Sequence, residues 1–101
     1  MYRLNLTEMF KEDLQSSVNY IRHTLNAPLA AQNLKYDTKE TYKRIKERPF
    51  SYPAVPDDYL AASGFRFAMV KNYIIFYIVD EKTINIIRFL YGRRDWKNIL
   101  M

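Results

Sequence analysis

Apolar and polar side chains alternate over residues 2–6 (Tyr-Arg-Leu-Asn-Leu), the period of a half-buried strand. From Thr7 onward the period lengthens. Phe10, Leu14, Val18, Ile21 and Leu25 recur every three or four residues and make one apolar stripe, which predicts a helix capped by the Thr7 hydroxyl, with Glu8 near its positive end. That stripe should pack on a sheet. Asn26-Ala27-Pro28 stops this helix and starts another, because proline is tolerated in a first turn, where its missing N–H costs nothing. The second helix is expected to run to about Arg48. Ala30 or Ala31, Leu34, Thr41 or Tyr42, and Ile45 fall on its inner side, and Lys35, Lys39, Lys43, Arg44 and Lys46 on its outer side. A three-residue joint between two helices predicts an antiparallel hairpin.

Pro49, Pro53 and Pro56 mark an irregular crossing up to about Ser63, since the residue before a proline is pushed out of helix. Gly64 opens a three-strand meander. In Phe65 to Val70 the side chains of Phe65, Phe67 and Met69 share one face and those of Arg66, Ala68 and Val70 the other. Lys71-Asn72 is a two-residue turn, with Asn able to adopt a positive φ. Tyr73 to Val79 is apolar on both faces and so belongs inside the sheet, and Thr83 to Tyr91 follows after Asp80-Glu81-Lys82. Beyond Gly92, one or two helical turns should dock Trp96 and Leu100. The order β-α-α-β-β-β implies an α+β fold, a helical hairpin packed on a mostly antiparallel four-stranded sheet. Residues 1–101 are expected to form one domain, because 101 residues give room for one core.

Composition narrows the function. Nearly half of the residues are apolar (49%) and 16% are aromatic, too many for a disordered chain. No cysteine is present, which removes thiolate metal sites, disulfides and cysteine nucleophiles. The opening Met-Tyr-Arg-Leu-Asn-Leu-Thr-Glu lacks a signal-peptide pattern, and no apolar run approaches bilayer length, so a cytoplasmic protein without membrane association is expected. The net charge is +5. Residues 1–63 hold only +1 of it and residues 64–101 hold +4, which suggests an anionic partner for the C-terminal third.

Two glycines leave no phosphate-cradling loop, and a single histidine, His23, falls on the solvent side of its helix. No metal or other cofactor is expected. What remains is a set of arginines. Arg66 lies mid-strand, Arg88 interrupts an apolar strand, and Arg93-Arg94 follow the last strand. A guanidinium in apolar company is either paired internally, for example Arg88 or Arg94 with Asp95 or Asp58, or offered to phosphate as a planar donor fork.

The ordered set of motifs resembles the RelE/ParE superfamily of toxins from type II toxin–antitoxin systems over nearly the whole chain. The motifs are the strand running into Thr7-Glu8, Tyr20-Ile21, Asn26-Ala27-Pro28 with Ala30-Ala31, and Pro49. They continue with Gly64-Phe65-Arg66, Lys71-Asn72-Tyr73-Ile74-Ile75-Phe76-Tyr77, Val79-Asp80-Glu81 and Leu90-Tyr91-Gly92-Arg93-Arg94-Asp95-Trp96. The resemblance implies a cytoplasmic growth inhibitor silenced by a cognate antitoxin. It acts either on DNA gyrase without chemistry, as in the ParE branch, or as a ribosome-dependent mRNA endoribonuclease, as in the RelE branch. Arg66 and Arg94 match basic positions of the superfamily, and Tyr91 stands where many relatives carry His, so these three are the candidate catalytic residues of a nuclease. Arg88, Arg93, Trp96 and Lys97 are the candidates for target or phosphate binding.

The chain departs from the nuclease pattern at three places. Ala68 replaces a second basic residue, Ile74 falls where an arginine is frequent, and the tail ends Ile99-Leu100-Met101 without a Tyr or His. These departures favour gyrase or another protein as target. The alternatives are the endoribonuclease and a degenerate toxin that only binds its antitoxin. A homodimer or a toxin–antitoxin hetero-oligomer is the expected assembly.

Overall fold

Thr7 has extended backbone and its hydroxyl accepts the Phe10 N–H at 3.1 Å, starting the first helix where the change of period places it. The same hydroxyl donates to the Ile87 carbonyl at 2.9 Å, so one residue caps the helix and ties it to the sheet. In the computed structural model, which describes residues 1–101, β1 is Arg3–Leu6, α1 Glu8–Asn19 and α2 Pro28–Glu47. Then come α3 Asp58–Ala62, β2 Arg66–Val70, β3 Tyr73–Asp80, β4 Thr83–Tyr91 and α4 Trp96–Leu100.

Between α1 and α2 the helix widens into a π turn, Tyr20–Thr24, before Asn26 reverses the chain with a left-handed φ of 52°. The wider turn rotates the apolar stripe. Ile21 still packs on the core, whereas Leu25 is left 55% exposed, although the spacing had placed it on the buried face. On α2 the buried residues are Ala31, Leu34, Thr38, Thr41 and Ile45, and Thr38 is tolerated inside because its hydroxyl donates to the Leu34 carbonyl at 2.7 Å.

The four strands lie in the order β1-β4-β3-β2, with β1 parallel to β4 and the other pairs antiparallel. Pairing continues to Leu6 opposite Ile86, after which α1 departs and leaves the rest of β4 without a strand neighbour on that side. Two side chains fill the vacancy: that of the cap Thr7 on the Ile87 carbonyl, and that of Asp13 in α1, whose carboxylate accepts the Phe89 N–H at 3.0 Å. A bulge sets Phe76 opposite Arg88 and Tyr77 opposite Ile86.

One sheet face packs on the α1–α2 hairpin through Phe10, Leu34, Ile45, Ala68, Ile75 and Phe89. The other face buries Phe65, Ile74, Phe76 and Leu90 beneath Val55 and Leu60, with Trp96, Ile99 and Leu100 packed against them. Two points differ from the sequence pattern. The crossing after Pro49 contains α3, because Asp57 caps it by accepting the Leu60 N–H at 3.0 Å and Leu60 is buried. In the Lys71-Asn72 turn the left-handed residue is Lys71, at φ 55°, while the Asn72 carbonyl is held by the Gly92 N–H at 2.8 Å.

Candidate functional site

The arginines separate into two kinds, engaged and free. Arg66 starts β2 on the helix-facing side, where its guanidinium donates to the Tyr52 carbonyl at 2.5 Å and stacks over the Phe50 ring at 4.9 Å. Its strand partner Tyr77 is fully buried and donates its hydroxyl to the Pro49 carbonyl at 2.5 Å. Burial pushes the Tyr77 phenol up to about 12, against the opposing pull of the Arg66 charge. Together these groups fasten the proline crossing to the sheet.

Arg88 makes a two-pronged ion pair with Asp13, at 2.7 and 2.9 Å, with both side chains mostly buried. The hydrogen bond to Asp13 raises the Arg88 pKa further, in spite of desolvation, so the guanidinium stays charged. Internal pairing, one of the two readings open from the sequence, is what Arg88 shows. The partner is Asp13, a residue 75 positions away, and not Asp95 or Asp58. Asp95 instead accepts from the Asn98 amide at 2.5 Å.

Arg93 and Arg94 are exposed in the turn after β4, and neither is in an ion pair. Trp96 lies half-buried with its ring 5.5 Å from Phe76. Lys97 reaches over the Trp96 ring at 5.8 Å and approaches the Asp57 carboxylate at 3.9 Å. These four residues follow one another at the basic corner where the chain leaves β4 and enters α4, Arg94 on the side of the sheet that faces α1 and Trp96 on the other.

Beside that corner opens a cleft of about 860 Å³ between the π turn and the ends of β3 and β4. Tyr20 lines its helical wall and Tyr73, Tyr91 and Arg94 its sheet wall. Tyr73 stacks on Phe89 at 4.9 Å and meets Tyr91 edge-on at 5.5 Å. Tyr91 and Arg94 are therefore brought together, and Arg66 is not. Arg66 pairs with Tyr77, whereas Tyr91 pairs with Tyr73, four residues or about 13 Å further along β3. Reading the residues one by one missed Tyr20 and Tyr73 as cleft residues. Their signal was present in the Tyr20-Ile21 and Asn72-Tyr73 motifs. No group of three or more His, Cys, Asp or Glu side chains comes together as a metal cage, and His23 is exposed. No helix is long and apolar enough to cross a membrane.

A helical hairpin on a β1-β4-β3-β2 sheet is the fold of the RelE/ParE-like class. The model of the family described as "ParE toxin of type II toxin-antitoxin system, parDE" matches residues 4–96, and the chain belongs to that family. The fold is shared with the chromosomal ParDE toxin–antitoxin system from P. aeruginosa, at a TM-score of 0.75 and 20% identity over 90% of this chain and 96% of that one. It is shared less closely with a copper-bound mutant toxin from Helicobacter pylori, at a TM-score of 0.57 and 17% identity over 90% and 94% of the two chains. YafQ from E. coli strain BL21(DE3) gives a TM-score of 0.52 at 15% identity, over 90% and 93%. No curated protein matches the chain in sequence.

Proposed function

We propose that this toxin arrests growth by binding a protein, DNA gyrase, through the corner formed by Arg93, Arg94, Trp96 and Lys97, without chemistry of its own. The observation that carries this reading is the division of the arginines. Transfer of a phosphodiester to a ribose 2′-hydroxyl needs an acid, a base and cations around one phosphate, and each missing group costs roughly 10²–10⁴ in rate. Arg66 is fastened to the proline crossing and lies a whole strand length from Tyr91 and Arg94. A binding inhibitor needs only a stable surface, and exposed Arg with Trp is a frequent anchor of interfaces.

The reading includes a cognate antitoxin that covers the free toxin in the cytoplasm, with residues 1–101 acting as one domain in a hetero-oligomer. Support comes from the large apolar side chains left in water on the hairpin, Tyr20, Leu25, Leu29 and Tyr36, each more than half exposed. Co-expression with a neighbouring short acidic reading frame should give a complex that survives high salt.

One observation favours the endoribonuclease as second reading: Tyr91 and Arg94 share a cleft. A direct experiment separates the two. Purified toxin is added to a gyrase supercoiling assay and, separately, to ribosomes translating a mapped mRNA. Inhibited supercoiling with intact mRNA is the expected result. Codon-position cuts with untouched supercoiling would overturn it, and inactivity in both assays with retained antitoxin binding would make the chain a degenerate toxin.

A further inference from the structure

The sheet has two edges, and only one of them is closed. Along the outer edge of β2 the proline crossing is bonded to the strand. The Phe67 N–H donates to the Pro53 carbonyl at 3.2 Å and the Val55 N–H to the Phe65 carbonyl at 3.1 Å, with Ala54 bridged to Arg66. The other edge is β1. There the Arg3 N–H donates to the Lys82 carbonyl at 2.7 Å and the Thr7 N–H to the Ile86 carbonyl at 3.1 Å. The odd-numbered residues of β1 therefore face β4, and the backbone groups of Leu4 and Leu6 point away from the sheet. No loop bonds to them. Such an edge is a template for a further strand, and β1 has neither the proline nor the bulge that would blunt it. Its Arg3 and Asn5 side chains are exposed on one face, and those of Leu4 and Leu6 are half-buried on the other.

We infer that β1 pairs antiparallel with β1 of a second copy of this chain, about a two-fold axis at Leu4, joining the two sheets into one. The occupant follows from the self-complementary order of the residues. With Leu4 opposite Leu4 of the second copy, Leu6 faces Tyr2, and the outward N–H and carbonyl groups meet in register. Arg3 then faces Asn5 and not another Arg3, so two copies of a chain of net charge +5 meet here without like charges opposed. Asn5 donates its amide to Asn85 at 2.8 Å, which leaves its Oδ1 free to accept from the Arg3 guanidinium of the second copy. Exposed apolar side chains flank the edge as well. Phe50, 58% exposed, meets Tyr2 edge-on at 6.4 Å, and Met9, 48% exposed, lies three residues past Leu6. The two-fold axis brings the Tyr2–Phe50 end of each copy to the Leu6–Met9 end of the other. The Arg93–Lys97 corner follows the opposite end of β4, so both copies keep it free.

The test begins with sedimentation equilibrium of the full-length toxin alone, from about 1 to 200 μM. A monomer–dimer equilibrium is expected, with the Leu4 and Leu6 amides protected from hydrogen exchange at least about tenfold more at the top of that range than at the bottom. Leu4→Pro removes an outward N–H and no bond to β4, and should weaken dimerisation at least about tenfold. Because the Leu4 side chain is half-buried, a second variant is made at an exposed position. Asn5→Lys sets a cation against Arg3 of the second copy and should weaken the dimer to a similar extent, whereas Asn85→Ala, which removes only the amide bond, should leave it intact. The chain has no cysteine, so the register can be read by cross-linking. Arg3→Cys combined with Asn5→Cys sets sulfurs in facing positions whose Cα atoms are about 4.5 Å apart, and oxidation should give a covalent dimer that neither single variant gives. The inference is overturned if the toxin stays monomeric up to about 200 μM, or if a dimer forms that Leu4→Pro and Asn5→Lys both leave unchanged. It is equally overturned if the double cysteine variant gives no covalent dimer, or if the Leu4 and Leu6 amides are protected only when a co-expressed antitoxin is bound.

Discussion

The two ends of the sheet carry arginines of opposite fate. At the end where β2 begins, Arg66 gives its hydrogen bond to a backbone carbonyl and its flat face to Phe50, beside a buried tyrosine that holds the Pro49 carbonyl. At the other end, past β4, Arg93 and Arg94 have no carboxylate partners and stand next to an open cleft. Arg88 lies between them along the fold and is committed to Asp13. The difference teaches that the same side chain does structural work where the chain must be fastened and is free for a partner only where the fold has already closed.

The contrast breaks most severely at the ion pair. Asp13→Ala or Arg88→Ala leaves the other charge unpaired and mostly buried, and Asp13→Ala also orphans the Phe89 N–H. Each is expected to lower the unfolding free energy by about 3 kcal/mol in urea denaturation. The double variant should lose less than the two single losses added together, since neither charge is then left alone.

A smaller effect is expected at Tyr77. Tyr77→Phe removes the hydroxyl from the Pro49 carbonyl and should cost about 1–2 kcal/mol at neutral pH. Its pH dependence has a definite sign. The phenol ionises near 10 in the unfolded chain and near 12 in the folded one, so its contribution is complete below pH 10 and is lost as the pH rises toward 12. Urea midpoints measured from pH 8 to 11.5 should therefore fall more steeply for the native chain than for Tyr77→Phe. Parallel curves would contradict the assignment.

Next in size is Arg66→Ala, at about 1 kcal/mol, with faster amide hydrogen exchange at Val55 and Phe67, whose N–H groups bond across the crossing to the Phe65 and Pro53 carbonyls. Exchange unchanged at both amides would mean that Arg66 does not hold the crossing.

Much of this frame could be read from the chain. The Thr7 cap depends on a neighbour three residues away and the meander strands on their own alternation and tight turns, which local pattern reports well, and the burial of Trp96 and Leu100 follows from their apolar character in a polar tail. What escaped it depends on distant partners. No local pattern pairs β1 with β4 in parallel across 80 residues, or selects Asp13 from eleven acidic residues as the partner of Arg88. The π turn that exposes Leu25 and the bulge at Phe76 and Tyr77 are insertions into regular periods, which a period count carries straight through. For the site, the sequence singled out Arg66, Arg88, Arg93 and Arg94 without separating engaged from free, and that separation rests on the tertiary partners just named.

The division of the arginines is tested most directly by measuring gyrase inhibition and urea midpoint on the same preparations of the native chain, Arg66→Ala and Arg94→Ala. The account predicts that Arg94→Ala keeps the native unfolding free energy to within about 0.5 kcal/mol and loses inhibition, while Arg66→Ala loses stability and, at temperatures where it remains folded, still inhibits. An Arg94→Ala chain that inhibits like the native one, or a folded Arg66→Ala chain that is as inactive as Arg94→Ala, would contradict it.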